Sequence, residues 1–466
     1  MRVGERGRAS ARKVVPARFM EPRVIFCLVV VALCLFGLVM IYSASSVTML
    51  KQTGDAYYLL KRQAALLAGS LVFSGIVVLI GYRRLCSPKA VAWLTIIIVA
   101  LLVCTRFFGV ETKGAVRWID VKGIQLQPSE FAKPIILLSM ASLCQRYFSD
   151  GEIDFGRFCL LSVACVVLPV GLILAQPDKG TTLIIAAAVA VMLLLAGFDW
   201  KLLVVVFLVV GGLVLLMALR DPYSLKRIEV MHNPEKDPLH DGYQLLQGFH
   251  AIANGGVFGC GIGMSRQKYG YLPEKHNDFI FAIVGEECGL VGMLLVLAAF
   301  LLIAYEGHKI SRDASDLAGS TLAMGASSLL VVQFFVNVLG VIGITPMTGK
   351  PLPFLSYGGS SILSCVVLCA LVLSVSRESS LPETVYERRR GNIGLAGPSE
   401  SVSRRPRGYD REMGVPMTAG FRVVEGGAEC RGRVDLGPSP HERLRGGSAR
   451  GTQQNGRSHR GRPDRR

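Results

Sequence analysis

Repeated runs of apolar residues set the first constraint on what this chain can fold into. A ~30 Å hydrocarbon layer needs about 20 predominantly apolar residues of helix at ~1.5 Å per residue. Ten runs of that order are legible, at roughly 24–45, 64–82, 90–108, 131–147, 158–175, 181–197, 199–219, 279–305, 318–342 and 355–375. The composition agrees, with 51% hydrophobic and only 18% charged residues over 466 positions. Several runs are interrupted by Gly, Pro or a charge, which leaves their boundaries soft, but a soluble multidomain reading cannot place so many apolar segments. The expected fold class is therefore an all-α polytopic membrane protein of about ten transmembrane helices. The first run follows basic residues and precedes the small residues Ser43-Ala44-Ser45, as a signal peptide would. It is longer than the ~7–15 residues of a signal h-region, so it reads as an uncleaved first helix.

The net charge of +17 is concentrated at the two ends. Residues 1–23 carry seven Lys/Arg against two Glu, and residues 381–466 carry eighteen Arg against ten acids. An even number of spans puts both ends on one side, and the positive-inside rule makes that side the cytoplasm. Three parts follow: a basic N-terminal tail (1–23), a membrane domain (24–376) and an Arg/Gly-rich cytoplasmic tail (377–466) in which hydrophobic periodicity disappears. An Arg/Gly tail can bind RNA, but no aromatic-interleaved motif accompanies it, so a solvated tail near anionic lipid is the simpler reading and no nucleic acid is expected. The twelve cysteines include no C-x-x-C pair, which leaves them as packing residues.

Threading the spans from a cytoplasmic start places 46–63, 109–130, 176–180, 220–278 and 343–354 outside. The large extracytoplasmic loop 220–278, between helices 7 and 8, is too long for a plain connector. Its glycines at 255, 256, 259, 261 and 263 suggest a turn in which backbones pack closely, since no strand precedes them as a nucleotide-binding loop would require.

Polar clusters meet the membrane boundary on that outer side. Arg117 offers a planar fork suited to phosphate and Trp118 the amphipathic shape of an interfacial anchor. Lys133 sits about one turn inside an apolar helix, where it can snorkel or pair with Glu130 at i,i+3. Gln176-Pro-Asp178-Lys179-Gly-Thr181 makes a tight charged turn, and Pro346 to Ser360 is rich in Pro, Gly and hydroxyls, as a broken helix entry would be. The segment Tyr271-Leu-Pro-Glu-Lys275-His276-Asn-Asp278 ends the long loop and starts the eighth span. Ionisable groups at such a depth are costly and are kept for function. Glu286 and Glu287 follow two turns later, about 80° and 180° around the helix from Asp278, and a hydrogen-bonded structural role is expected for at least one. The histidine spacings match no zinc signature, so no metal site is expected.

These motifs together resemble the SEDS (shape, elongation, division and sporulation) family. They are Gly-Ala-x-Arg117-Trp118-Ile, Gln127-Pro-Ser-Glu130-x-x-Lys133, Pro177-Asp178-x-Gly180-Thr181, Leu272-Pro-Glu274-x-His276-x-Asp278 and Pro351-Leu-Pro353-Phe-x-Ser356-Tyr-Gly358-Gly359-Ser360. The similarity spans about residues 24–376. It implies a ten-helix peptidoglycan glycosyltransferase that polymerises lipid II on the outer face of the cytoplasmic membrane, beside a class B penicillin-binding transpeptidase and other divisome proteins. Asp278 falls on the family's essential acid. Arg117, Trp118, Glu130 and Lys133 fall on motif positions tied to activity, and Lys275, His276 and Ser356 join them as substrate-binding candidates. Asn277 stands where the family usually has Thr. No cofactor is evident, and a divalent cation assisting the diphosphate stays open. Polar extensions at both ends lean toward a division-type member at the septum rather than an elongation- or sporulation-type one. A lipid II flippase or a scaffold for the transpeptidase is the alternative; the absence of an inverted repeat and the rim position of Asp278 weigh against transport.

Overall fold

The computed structural model describes residues 17–379 apart from 113–114, 122–123 and 241. The N-terminal tail as far as residue 16 and the Arg/Gly-rich tail from 380 onward lie outside the described residues. Fourteen α-helices are described: α1 (Ala17–Thr53), α2 (Tyr58–Ile80), the short α3 (Tyr82–Leu85), α4 (Pro88–Phe108), α5 (Pro128–Cys144), α6 (Phe155–Ser162), α7 (Leu168–Ala175), α8 (Lys179–Ala196), α9 (Trp200–Arg220), α10 (Pro222–His232), α11 (Tyr243–Gly255), α12 (Ile280–Arg312), α13 (Leu317–Val341) and α14 (Gly359–Glu378). A π turn at Val163–Val167 joins α6 and α7 into one rod.

Among the described residues nine helical rods are long and apolar enough to cross a membrane. The tenth expected span is α5, which at 17 residues is shorter, and its side chains from Ala132 to Cys144 are almost all buried by other helices. Burial orders the bundle from inside to outside. In its most apolar stretch α14 is 83% buried and α13 56%, whereas the stretch in α9 is 6% buried. The centre is thus α5, α13 and α14, with α13 also packed on α8 and α12. Leu208 and Val209 on α9 are exposed because their solvent is lipid.

Two features depart from the all-α expectation of helices joined by loops. The loop between α4 and α5 forms a three-stranded antiparallel meander, β1 (Val110–Thr112), β2 (Ala115–Val121) and β3 (Ile124–Leu126). Trp118 lies opposite Val110, and Ile119 opposite Leu126. β2 is rich in β-branched and aromatic residues, but its seven positions are too few for periodicity to separate a strand from loop. The long outer loop also carries structure of its own, α10 and α11 with two 3-10 turns.

The glycine-rich part of that loop explains a break in α12. Gly289 has φ 67° and ψ −166°, so the helix is interrupted one turn below Glu286. The amides of Cys260 and Gly261 donate to the Glu286 and Glu287 carbonyls, both at 3.0 Å. In return the amides of Leu290 and Val291 donate to Gly256 and Val257. Two carbonyls and two amides at the break are thereby satisfied from the loop, as the hydrocarbon requires. Gly259 lies at the seam with φ +81°, and a Cβ there would stand 2.2 Å from the Glu287 carbonyl oxygen. Gly259→Ala is therefore expected to destabilise the purified protein by at least ~1 kcal/mol, from the left-handed backbone alone. A thermal unfolding midpoint equal to wild type in the same detergent would contradict so close an approach.

Candidate active site at the outer rim of α12

The residues Tyr271–Asp278 form a knot of turns that delivers Asp278 to the head of α12. Glu274 adopts a left-handed backbone (φ 50°), and its carbonyl accepts from the amides of Asn277 at 3.0 Å and Phe279 at 3.3 Å. The Asn277 side chain returns to the Glu274 carboxylate at 2.7 Å. From the other side the Pro351–Ser360 segment grips this knot. Ser356 Oγ donates to the Asn277 carbonyl at 2.7 Å while accepting from the Leu352 amide, and the Tyr357 amide donates to the His276 carbonyl at 2.9 Å. A third grip comes from α13. Asn337 Nδ2 donates to the carbonyls of Asp278 at 2.9 Å and of Lys350 at 2.7 Å.

Asp278 is half-buried at the wall of a cavity of about 300 Å³ lined by α10, α11 and the loops. Arg227 and Lys226 of α10, with His240 and Tyr243, line the same cavity. Gly349 lies beside both Arg227 and Asp278. A Cβ at that position would lie 3.5 Å from Asp278 Oδ2 and 3.7 Å from both terminal nitrogens of Arg227. Arg227 is held by the Met347 carbonyl and the Tyr223 hydroxyl, and its guanidinium lies 4.5 Å from the Tyr223 ring centroid. A carboxylate and a guanidinium on one cavity can take a proton from one substrate group while the cation holds another.

Beneath this rim lies a second set of polar residues, all buried. Asp178 is the N-cap of α8 and accepts from the Thr181 amide and hydroxyl. It also accepts from Gln127 Nε2 at 3.2 Å, Ser129 Oγ at 3.1 Å and Lys350 Nζ at 2.7 and 2.8 Å. Burial alone would raise its carboxyl. The charges of Lys350 and Arg117, with the hydrogen bonds of Lys350 and Thr181, instead hold it well below the usual carboxylate range. Lys133 Nζ donates to both Glu130 oxygens at 2.7 Å and to Gln333 Oε1 at 2.8 Å, so all three of its protons are used. Gln333 in turn donates to the Pro351 carbonyl at 2.9 Å.

The site residues expected from the sequence therefore separate into groups. Asp278, with Asn277 and Ser356, belongs to the rim. Glu130 and Lys133 pair as expected, but as a buried brace reaching the rim through Gln333 rather than in the cavity. Arg117 turns its guanidinium to the carbonyls of Gln176 (3.1 Å) and Pro177 (2.5 Å), and Trp118 is half-buried beside it on β2. Lys275 points away from the cavity, onto the Lys268 carbonyl. The His276 ring packs edge-on against Tyr357, and burial pushes it below its ordinary pKa, which leaves it neutral at pH 7. Glu286 and Glu287 serve structure, accepting from the Arg266, Gln267 and Ser265 amides and from Ser43. Among the described residues no three His, Cys, Asp or Glu gather as a metal-binding group.

Sequence reasoning missed Arg227, Gln333 and Asn337. Gln333 and Asn337 had a usable signal, two amides one helical turn apart in an otherwise apolar span. Arg227 had none beyond being a cation in a long outer loop.

Comparison with known proteins follows the same lines. The model of the cell cycle protein family of FtsW, RodA and SpoVE matches residues 23–381. A probable peptidoglycan glycosyltransferase FtsW of Trichlorobacter lovleyi is 38% identical over 364 residues, covering 78% of this chain and 94% of that protein. The stage V sporulation protein E of Bacillus subtilis is 34% identical over 77% of this chain and 98% of its own length. Among solved structures, a chain of a peptidoglycan synthase complex that coordinates polymerization and crosslinking aligns with a TM-score of 0.60 at 27% identity, over 76% of this chain and 97% of that one. The rod shape determining protein RodA of Thermus thermophilus aligns with a TM-score of 0.56 at 26% identity over the same shares.

The buried pair invites a direct test. Lys350→Met leaves Asp178 without its nearest cation and is expected to cost about 3–5 kcal/mol at pH 7, because an uncompensated charge stays buried. The double variant with Asp178→Leu should recover most of that loss in thermal unfolding; an additive further loss would show that the two are not coupled. In wild type the depressed carboxyl contributes stability above its unfolded pKa of ~3.9, lost as pH falls toward the lower folded value.

Proposed function

The chain belongs to the cell cycle protein family of FtsW, RodA and SpoVE, and from that premise we propose that it polymerises lipid II into glycan strands on the outer face of the cytoplasmic membrane. It is a peptidoglycan glycosyltransferase of FtsW type, embedded in the membrane by its apolar helices. The observation that carries the mechanism is that the rim carboxylate and a guanidinium line one cavity, both close to Gly349. A sugar hydroxyl is a poor nucleophile at neutral pH. Asp278 takes its proton as general base as the C4 hydroxyl of one disaccharide attacks the anomeric carbon of the other, and the undecaprenyl diphosphate leaves. Arg227 and Lys226, in the same cavity, carry the negative charge that builds on the leaving diphosphate. A divalent cation is the alternative carrier of that charge, and loss of polymerisation on chelation would assign it.

The rim position suits this substrate, whose prenyl chain stays in the bilayer while its sugars face water. Both termini are assigned to the cytoplasm by the positive-inside rule. The polar extensions favour division at the septum over elongation, beside a single-span class B transpeptidase that cross-links the strands. A flippase would use the same lipid, but a transport site belongs near the bilayer midplane rather than at the rim.

Asp278→Asn keeps the backbone grips of Asn337 and Ser356, so the protein should fold while polymerisation of labelled lipid II falls by ~10²–10⁴-fold. Strands of wild-type length and rate from the purified variant would sink the assignment. Asn337→Leu removes a grip without touching the carboxylate. It should lower kcat by about tenfold with KM little changed, since misplacing a reacting group by about 1 Å can cost more than that. An unaltered kcat would make Asn337 purely structural.

A further inference from the structure

We propose that the groove between α1 and α12 is a second lipid site, holding the chain of a prenyl diphosphate whose headgroup lies under Lys268 and Lys275. The inference rests on the polymerase reading, because joining two lipid-linked disaccharides requires two prenyl diphosphates at once and the Asp278 cavity accounts for the reacting centre.

The groove has a volume of about 670 Å³ and its wall is almost wholly apolar, with Ala32 and Phe36 on α1 facing Val291 and Leu295 on α12. Phe258 and Ile262 reach over it from the glycine-rich loop and are 83% and 59% exposed, so its outer end is finished by side chains that nothing else in the protein covers. Glu287 is the one carboxylate in the wall, beside the Cys288 thiol, and its Oε1 is engaged by Ser43 and Ser265.

Directly beyond that end sit the cations. The Gly263 carbonyl, one residue from Ile262, accepts from Lys268 Nζ, and the Lys268 carbonyl accepts from Lys275 Nζ. The turn Gln267–Tyr269 packs on α1, whose last turn carries Lys51. Lys268 and Lys275 are buried, at 6% and 4% exposure, and among the described residues neither forms an ion pair. Glu286 and Glu287 are turned to backbone amides of the 265–267 turn instead. Burial together with the charges of Lys51 and Lys268 pushes the Lys275 ammonium below its ordinary pKa. Buried ammonium groups satisfied by one carbonyl each, that of Lys268 with the Tyr269 ring centroid 5.8 Å away, are costly, and a doubly charged headgroup at the membrane boundary supplies what they lack. One apolar groove below a pair of ammoniums fits one chain and one diphosphate better than the two acyl chains and single phosphate of a phospholipid.

The test uses the full chain in phosphatidylcholine nanodiscs and a prenyl diphosphate with a benzophenone at its chain end, with cross-links mapped by mass spectrometry. Labelling is expected in 29–36 and 291–302. It should fall at least about a hundredfold in Lys268→Gln/Lys275→Gln, since each lost charged hydrogen bond costs about tenfold or more. Ala32→Phe, which fills the groove without touching the lysines, should abolish it at an unchanged unfolding midpoint. Labelling insensitive to both changes overturns the proposal. So does displacement by phosphatidylglycerol as effective as by unlabelled prenyl diphosphate, or blocking only by a single-span transpeptidase. Asp278→Asn should label as wild type does; if that variant also polymerises normally, the polymerase mechanism fails while the lipid site stands.

Discussion

Burying the Asp178 carboxylate and the Lys350 ammonium at the outer end of an apolar bundle costs free energy that only a complete set of partners offsets. The set is complete. Asp178 gathers Gln127 and Ser129 from the start of α5, Thr181 from the start of α8, and Lys350 from the loop before α14. Three chain segments that share no sequence proximity are fixed to one atom group. Because Lys350 is held there, its carbonyl is available to Asn337, and because Asn337 is held, so is the Asp278 carbonyl. The rim acid thus inherits its position from an ion pair that never meets substrate.

The same logic explains the second buried pair. Glu130 and Lys133 lie on α5, the most enclosed helix, where neither could be tolerated alone. Gln333 completes the ammonium's coordination and passes the constraint to Pro351. With Asn337 one turn further on, α13 presents a short amide ladder that pins the 350–351 backbone twice. Left-handed backbone at Glu274 and Phe354, the two non-glycine residues that do this within the gripped segments, is held in place by these contacts. Strain of that kind, of order 1–3 kcal/mol per residue, persists only where surroundings over-determine the backbone.

How much of this was legible in the sequence follows from which forces leave a local trace. Spans such as 318–342 were readable because hydrocarbon demands apolar length, a property of consecutive residues. α5 was readable as a span, yet its central position was not, since enclosure by other helices leaves no mark on its own hydropathy. The Glu130–Lys133 pair was visible because it is i,i+3; Asp178–Lys350 was not, because 172 residues separate its members. β2 was missed because seven residues carry too little periodicity, and Arg227 because a surface cation gains meaning only when a fold sets it opposite an acid. The glycines at 255–263 did announce a close backbone approach, but not that its partner would be a broken α12.

Asp278 needs two properties that ordinarily conflict. A general base must be held to within a fraction of an ångström, and its carboxylate must keep enough contact with water to shed the proton it collects. Here the described grips fall on backbone, with Asn337 on the carbonyl of Asp278 itself and Ser356 and Tyr357 on the carbonyls of its two predecessors. The carboxylate stays half-buried at a cavity wall. Grips on the main chain supply the precision and the position at the cavity wall the access to water, and this requires the buried scaffold of charges underneath to be as exact as the site it carries.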